Sequence, residues 1–283
     1  MPTLRLAHSP DADDAFMFFA LAEDLIDTGD RTYIHELADI ETLNQRALRG
    51  ELDVTAVSFH AYAYLADSYA LLASGGSVGD RYGPRVVALD PPPPDPRAAL
   101  RDRRVAIPGR LTTAALALRL YQPEFQPVVT PFDQIEAVVA EGGADAGLLI
   151  HEGQLTYGAR GLNLWVDLGA WWHEDTGLPL PLGGNVVKRS LGAAVISGVA
   201  ADLRASIAYG LAHREEALRY ALPFARGLDT LAADTFVGMY VNHYTLDYGA
   251  PGRRAIQVLL ARAARAGIIP GPVEPAFVGG GAD

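Results

Sequence analysis

The feature that most constrains this chain is a strand–helix alternation that runs twice, once on each side of a proline-rich break. Residues 4–8, 33–37 and 54–59 read as short strands, with helical patterns over 15–25 and 39–48 between them. Ser9 to Asp14 supplies loop and N-cap residues before the first helix, and Gly50 stands just beyond the second. A β-α-β-α-β run of this spacing predicts a mostly parallel, doubly wound sheet. Residues 84–89 read as a further strand. Asp90-Pro-Pro-Pro-Pro-Asp-Pro96 follows, and its consecutive prolines fit neither a helix nor a central strand. It reads as a stiff surface connection at which a second lobe begins.

The second lobe repeats the pattern. Strands are expected over 104–107, 128–130, 146–150 and 164–168, and helices over 114–120 and 133–141. An extended passage over 177–184 leads to a return strand at 185–188. Helices follow near 194–210, 214–222, 230–246 and 252–266, then a Gly/Pro-rich tail over 270–283 expected to pack loosely. The expected organisation is α/β with a larger discontinuous lobe, residues 1–89 plus 186–283, and a smaller lobe, 90–185. Two crossings make a hinged pair, and the cleft between lobes is a preferred ligand location.

Composition removes several function classes. The net charge is −11, with no basic run, which argues against nucleic acid as a partner. The absence of cysteine excludes disulfides, zinc thiolate sites, iron–sulfur clusters and a Cys nucleophile. No stretch approaches about 18 uninterrupted apolar residues, so no membrane span is expected. The N-terminus lacks the apolar core of a signal peptide, which places the expected location in the cytoplasm.

His151 is the sharpest candidate for chemistry. It directly follows the buried-type strand Ala-Gly-Leu-Leu-Ile, where residues beyond strand carboxyl ends line ligand crevices. A neutral imidazole there can act as a general base; the alternative is a cap or a partner for a buried carbonyl. Ser9, Asp11, Asp13 and Asp14 follow the first strand and can bind a ligand or cap the helix. Their spacing fails the calcium-loop pattern, which needs Gly where Phe16 stands, and no metal is expected. Gly109, Arg110, Thr112 and Thr113 sit where a strand hands over to a helix, a place that favours an anion such as a carboxylate. Ser58 and His60 lie at the end of the third strand and His8 at the end of the first, with Asn44 and Asn185 as weaker candidates. Trp171 and Trp172 read as lobe packing rather than as a cofactor platform.

These segments, taken in order, resemble the 1,4-dihydroxy-6-naphthoate synthase family of the futalosine route to menaquinone. The resemblance is carried by His8-Ser-Pro-Asp-Ala-Asp-Asp-Ala-Phe-Met-Phe-Phe-Ala-Leu21, Asp39-Ile-Glu-Thr-Leu-Asn-Gln-Arg-Ala-Leu48, Ser74-Gly-Gly76, Pro108-Gly-Arg-Leu-Thr-Thr-Ala114, Ile150-His-Glu-Gly-Gln-Leu-Thr-Tyr157, Asp167-Leu-Gly-Ala-Trp-Trp172 and Thr176-Gly-Leu-Pro-Leu-Pro-Leu-Gly183. It covers most of the chain. It implies a two-lobed type II periplasmic-binding-protein-like fold with a central cleft, used as an enzyme. The implied reaction converts cyclic dehypoxanthine futalosine to the naphthoate by carbon–carbon cleavage. A base removes a proton, the sugar-derived fragment leaves, and formation of an aromatic ring drives the step without a cofactor. The implied base falls on His151, and the ligand-contacting hydroxyls on Ser58, Thr112 and Thr113. A small-molecule carboxylate as partner and a homodimer are further expectations.

The first loop departs from the family's usual Ser-Pro-x-Pro-Asn-Asp-Thr. Here it reads Ser9-Pro-Asp-Ala-Asp-Asp-Ala15, so an amide becomes a carboxylate and a hydroxyl is lost. The position of His60 is commonly small in the family, and that of His8 apolar. An added negative charge there would repel a substrate carboxylate. Chorismate dehydratase, of the same fold and pathway, matches the motifs less well. A non-catalytic solute-binding protein of the same fold is the reading from another class.

Overall fold

In the computed structural model, which describes residues 3–280, twelve strands form two sheets. They are β1 (Thr3–His8), β2 (Thr32–Leu37), β3 (Val54–Ser58), β4 (Tyr69–Leu72), β5 (Ser77–Gly79), β6 (Arg85–Ala88), β7 (Arg104–Ile107), β8 (Gln126–Val129), β9 (Ala146–Leu149), β10 (Asn163–Asp167), β11 (Leu180–Lys188) and β12 (Phe277–Val278). The larger sheet has the order β12-β4-β11-β3-β1-β2, with β5 also on β11; the smaller is β10-β6-β9-β7-β8. β1 pairs in parallel with β2 and β3, and β7 with β8 and β9. These parallel runs are the two alternations legible in the sequence. β11 runs antiparallel to β3, β4 and β5, and β6 antiparallel to β9 and β10, so both sheets are mixed.

The chain crosses between sheets twice, from β5 to β6 and from β10 to β11. The first crossing corrects the expected boundary. The strand over 84–89 is expected in the larger lobe, yet β6 lies inside the smaller sheet, so the crossing precedes it. The proline run therefore follows a strand of the smaller sheet rather than separating lobes. The tail expectation changes too. Phe277 and Val278 pair in parallel with Leu71 and Leu72 of β4, and of the tail only residues 281–283 lie outside the described residues.

The helix Ala12–Ala22 anchors the larger lobe. Phe16, Met17 and Phe18 are all fully buried, each worth about 2 kcal/mol of apolar transfer. It packs on the helix Ala193–Ala212, where Gly210 lets the backbone of Phe16 approach: a Cβ there would meet Phe16 O at 3.1 Å. Ser206 Oγ on the same face donates to Met17 O at 2.8 Å. By length and composition this long helix could cross a membrane. Its buried face against the core, and the Asp202–Arg31 ion pair at 2.6 Å, give it a place inside the lobe instead. Trp172, fully buried on the helix Leu168–Thr176 of the second crossing, donates Nε1 to Pro179 O at 3.0 Å. Trp171 meets Tyr121 edge-on, with 5.2 Å between ring centres, which is packing as expected.

Candidate active site

Four strand ends converge on one cavity between the lobes. β1 leads to Ser9–Asp14, β3 ends at Ser58, β7 leads to Thr112 and Thr113, and β9 leads to Ile150 and His151. The antiparallel β11 supplies the floor through Leu182, Gly183, Gly184 and Asn185. The location follows the rule for open α/β sheets, ligands beyond strand carboxyl ends.

His151 faces Asp11 across the lobes. Its Nδ1 lies 3.2 Å from Asp11 Oδ2, and Phe132 meets the imidazole edge-on at 4.4 Å between ring centres. Nε2 is buried without a protein partner, and His151 is one of the residues that line the cavity. Asp11 stands at the N-cap of the first helix, yet its side chain caps nothing. It accepts instead from Ser9 Oγ at 2.5 Å and ion-pairs with Arg226 at 2.6 Å. Its burial alone would raise its pKa; the charges of His151 and Arg226 reverse that and hold it below the usual carboxylate range. Asp11 is thus an anion that fixes the histidine.

Asp13 and Asp14 behave oppositely. Both are buried with no cation on them, and desolvation, followed by the neighbouring carboxylates, pushes both upward, Asp14 to about 7. Asp14 also accepts from Ser9 N at 2.7 Å. A carboxyl pushed upward in this way carries less negative charge, which weakens the expected repulsion of a substrate carboxylate.

The opposite wall carries hydroxyls. Asn44 is fully buried behind Ser58: its Oδ1 accepts from Ser58 N at 2.9 Å and its Nδ2 donates to Ser58 Oγ at 3.2 Å. With one lone pair used by Asn44, the Ser58 hydroxyl keeps its proton to donate into the cavity. Thr112 caps the helix Thr113–Tyr121, accepting from Ala115 N at 3.2 Å, and donates to Gly109 O at 3.0 Å. Thr113 Oγ1 accepts from His60 N at 3.3 Å and can still donate. Hydroxyl donors beside a helix N-terminus suit an anion such as a carboxylate.

Not every expected site residue reaches the cavity. Ser9, Asp13, Asp14, Ser58, Thr112, Thr113 and His151 line it; Asn44, Gly109, His8 and His60 do not. Asn44 acts through Ser58. Gly109 is a packing position, since a Cβ there would fall 2.3 Å from Glu41 Oε2. His8 stacks on Phe18 at 4.4 Å between ring centres and donates Nδ1 to Ser9 O at 3.0 Å. His60 is buried beside Tyr64. Burial lowers both histidines to about 4, so both are neutral core groups at neutral pH. Sequence reasoning missed Arg226 and Glu152, and it missed Phe236 and Tyr240 of the helix Thr230–Tyr240, which also line the cavity. No local pattern marked Arg226. Glu152 lay inside the Ile150–Tyr157 motif without a role.

Asp11, His151 and Glu152 bring possible metal-ligand atoms within 4.8 Å of one another. The Arg226 guanidinium already meets both carboxylates, so the cationic position among them is taken by the protein itself.

A polar pocket between two mixed sheets, with the chain crossing twice, defines a periplasmic-binding-protein-like fold. The alkanesulfonate-binding protein of Xanthomonas axonopodis superposes with a TM-score of 0.70, covering 98% of each chain at 12% identity, a likeness of fold alone. A crystal structure of an Archaeoglobus fulgidus protein matches with a TM-score of 0.90 and 45% identity, over 94% of this chain and 98% of its own. The chain is an enzyme of the menaquinone-biosynthesis family, whose model matches residues 4–265. It is 44% identical to a 1,4-dihydroxy-6-naphthoate synthase of Thermus thermophilus, over 98% of this chain and all of that one. The Streptomyces coelicolor protein of the same name is 40% identical, over 97% and 98% of the two chains.

Proposed function

We propose that this chain is a cytoplasmic lyase that converts cyclic dehypoxanthine futalosine to 1,4-dihydroxy-6-naphthoate, with His151 as general base. The observation that carries the base assignment is the unpartnered Nε2 of His151, a residue that lines the cavity, with the Asp11 carboxylate 3.2 Å from Nδ1 on the other side of the ring. A carboxylate behind the imidazole orients the ring and stabilises the imidazolium formed when a proton is taken, and a general base so placed contributes roughly 10²–10⁴-fold in rate. The substrate carboxylate is received by the hydroxyls of Ser58 and Thr113 at the opposite wall. Removal of the proton by Nε2 lets the sugar-derived fragment depart as the carbon–carbon bond breaks, and the ring becomes aromatic. Phe236 and Tyr240 supply aromatic surface to the same cavity.

The test is incubation of the purified protein with cyclic dehypoxanthine futalosine and detection of the naphthoate by mass spectrometry. Wild type is expected to form product, and His151→Ala to bind substrate without turnover. Equal turnover by both proteins would remove His151 from the reaction. No product from folded wild type would remove the lyase reading and favour a binding role or a different substrate.

A further inference from the structure

Arg226 reaches the site from far along the chain. It follows the single turn Leu222–Phe224 and takes a positive φ of 47°, with Gly227 at 85° directly after it. A side-chain-bearing residue holds such a backbone only where its surroundings impose it, and such residues cluster at functional sites. Here the turn delivers a guanidinium to the space between the lobes. Nη2 lies 2.6 Å from Asp11 Oδ1 and donates to Pro10 O at 3.0 Å. Nη1 donates to Glu152 Oε2 at 2.8 Å. The guanidinium carbon sits 4.4 Å from the centre of the Phe132 ring, the ring that meets His151 edge-on.

The partners come from both lobes. Pro10 and Asp11 belong to the loop after β1, and the turn before Arg226 packs through Leu222 and Ala225 into the core around the first helix. Glu152, His151 and Phe132 belong to the smaller lobe. The guanidinium is therefore a bridge, and it stands next to the other bridge, the Asp11–His151 contact.

We infer that Arg226 is a positioning residue: by clamping Asp11 of one lobe to Glu152 of the other, it assembles the Asp11–His151 pair as the lobes close and keeps the imidazole proton on Nδ1. Three links support this. Asp11 is only 3% exposed, and an unpaired carboxylate so buried would take up a proton. The guanidinium charge keeps it ionised. An ionised carboxylate can only accept, so His151 must present Nδ1–H to it, leaving the lone pair on Nε2. Glu152 is the next residue after His151, and its tether to Arg226 fixes the main chain that carries the imidazole. With the lobes apart, His151 loses Asp11, and proton abstraction is confined to the closed cleft.

The inference rests on His151 as the base, but its first readout needs no turnover. With ¹⁵N-labelled histidine at pH 8, assigned through His151→Ala, the His151 ring in wild type is expected as the Nδ1–H tautomer. Arg226→Ala is expected to shift it toward Nε2–H, and Arg226→Lys to retain it in part. In turnover, Arg226→Ala is expected to lower kcat roughly 10–100-fold, the range for lost orienting partners. KM should stay within about 3-fold. The acid limb of the pH–rate profile should move to higher pH, because a cation near the imidazole has been removed. The charged or titratable groups around that imidazole are Asp11, Glu152 and Arg226, with Asp13 and Asp14 behind them. Added guanidinium is expected to restore part of the rate. Should Arg226→Ala fail to fold, Arg226→Met, which keeps a stem over Phe132, carries the same expectations. An Nε2–H tautomer in wild type, or an unchanged tautomer and pH profile in the variant, overturns the inference. A tautomer that depends on Arg226 in a protein without turnover supports the clamp and removes only the assigned reaction.

Discussion

The loops after β1 and β7 face each other across the cleft and each ends in a polar residue at a helix N-cap, yet they use it differently. Thr112 uses its hydroxyl on the backbone of its own helix, accepting from Ala115 N and donating to Gly109 O. Asp11 stands in the equivalent N-cap position and gives nothing to its helix. Its oxygens go to Ser9, His151 and Arg226. One loop is locally satisfied and presents neutral donors; the other is held by tertiary ion pairs and presents a charge. The same N-cap chemistry can therefore be structural or functional, and only the partner decides.

That contrast can be broken by exchanging which loop matters for rate. Asp11→Asn keeps the shape and removes the charge that holds His151, so kcat is expected to fall by up to about 10⁴-fold, as when a triad carboxylate is lost. Steady-state kinetics within a few-fold of wild type would show that the pair is not used. The next effect lies in stability against pH. Asp14 has a folded pKa raised above its unfolded value, so the folded state binds the extra proton, and the resulting stability is lost as pH rises from about 4 to about 7. Asp14→Asn is expected to remove a decline on the order of 2 kcal/mol from that window in urea titrations. An identical pH dependence in the variant would place Asp14 in solvent. The smallest effect belongs to the other loop: Thr112→Ala is expected to cost about 1 kcal/mol of stability, the loss of one N-cap. A rate loss comparable to that of Asp11→Asn would erase the distinction.

Much of this arrangement was legible locally. The alternation before and after the proline run marked the parallel strands, and Ser58, Thr112 and His151 were placed by the rule for strand ends. What was not legible depends on partners distant in sequence. The pattern of β6 reports a strand but not the sheet it joins, and its pairing with β9 and β10 is set by tertiary packing. His8 looks like a site residue because it precedes the loop; only the stacked Phe18 shows that it faces the core. Arg226 meets Pro10 across 216 positions of sequence, and nothing near it in the chain distinguishes it from any surface arginine. Asn44 was found on its helix, but its work through Ser58 needed the helix to be docked.

The pairing of β12 has a consequence for handling the protein. β4 is Tyr-Ala-Leu-Leu, buried at every position, and its outer side would be a bare apolar ladder without the C-terminal segment. Leu71 N donates to Ala276 O at 3.0 Å and Ala73 N to Val278 O at 2.9 Å. Two residues are enough to occupy those donors, and a strand so short offers a second chain little to extend. The segment thus works as a stopper against sheet-to-sheet association. Truncation before residue 276 would unblock an edge suited to fibrillar or amorphous aggregation, which makes this end of the chain the one to leave intact when trimming for crystallisation.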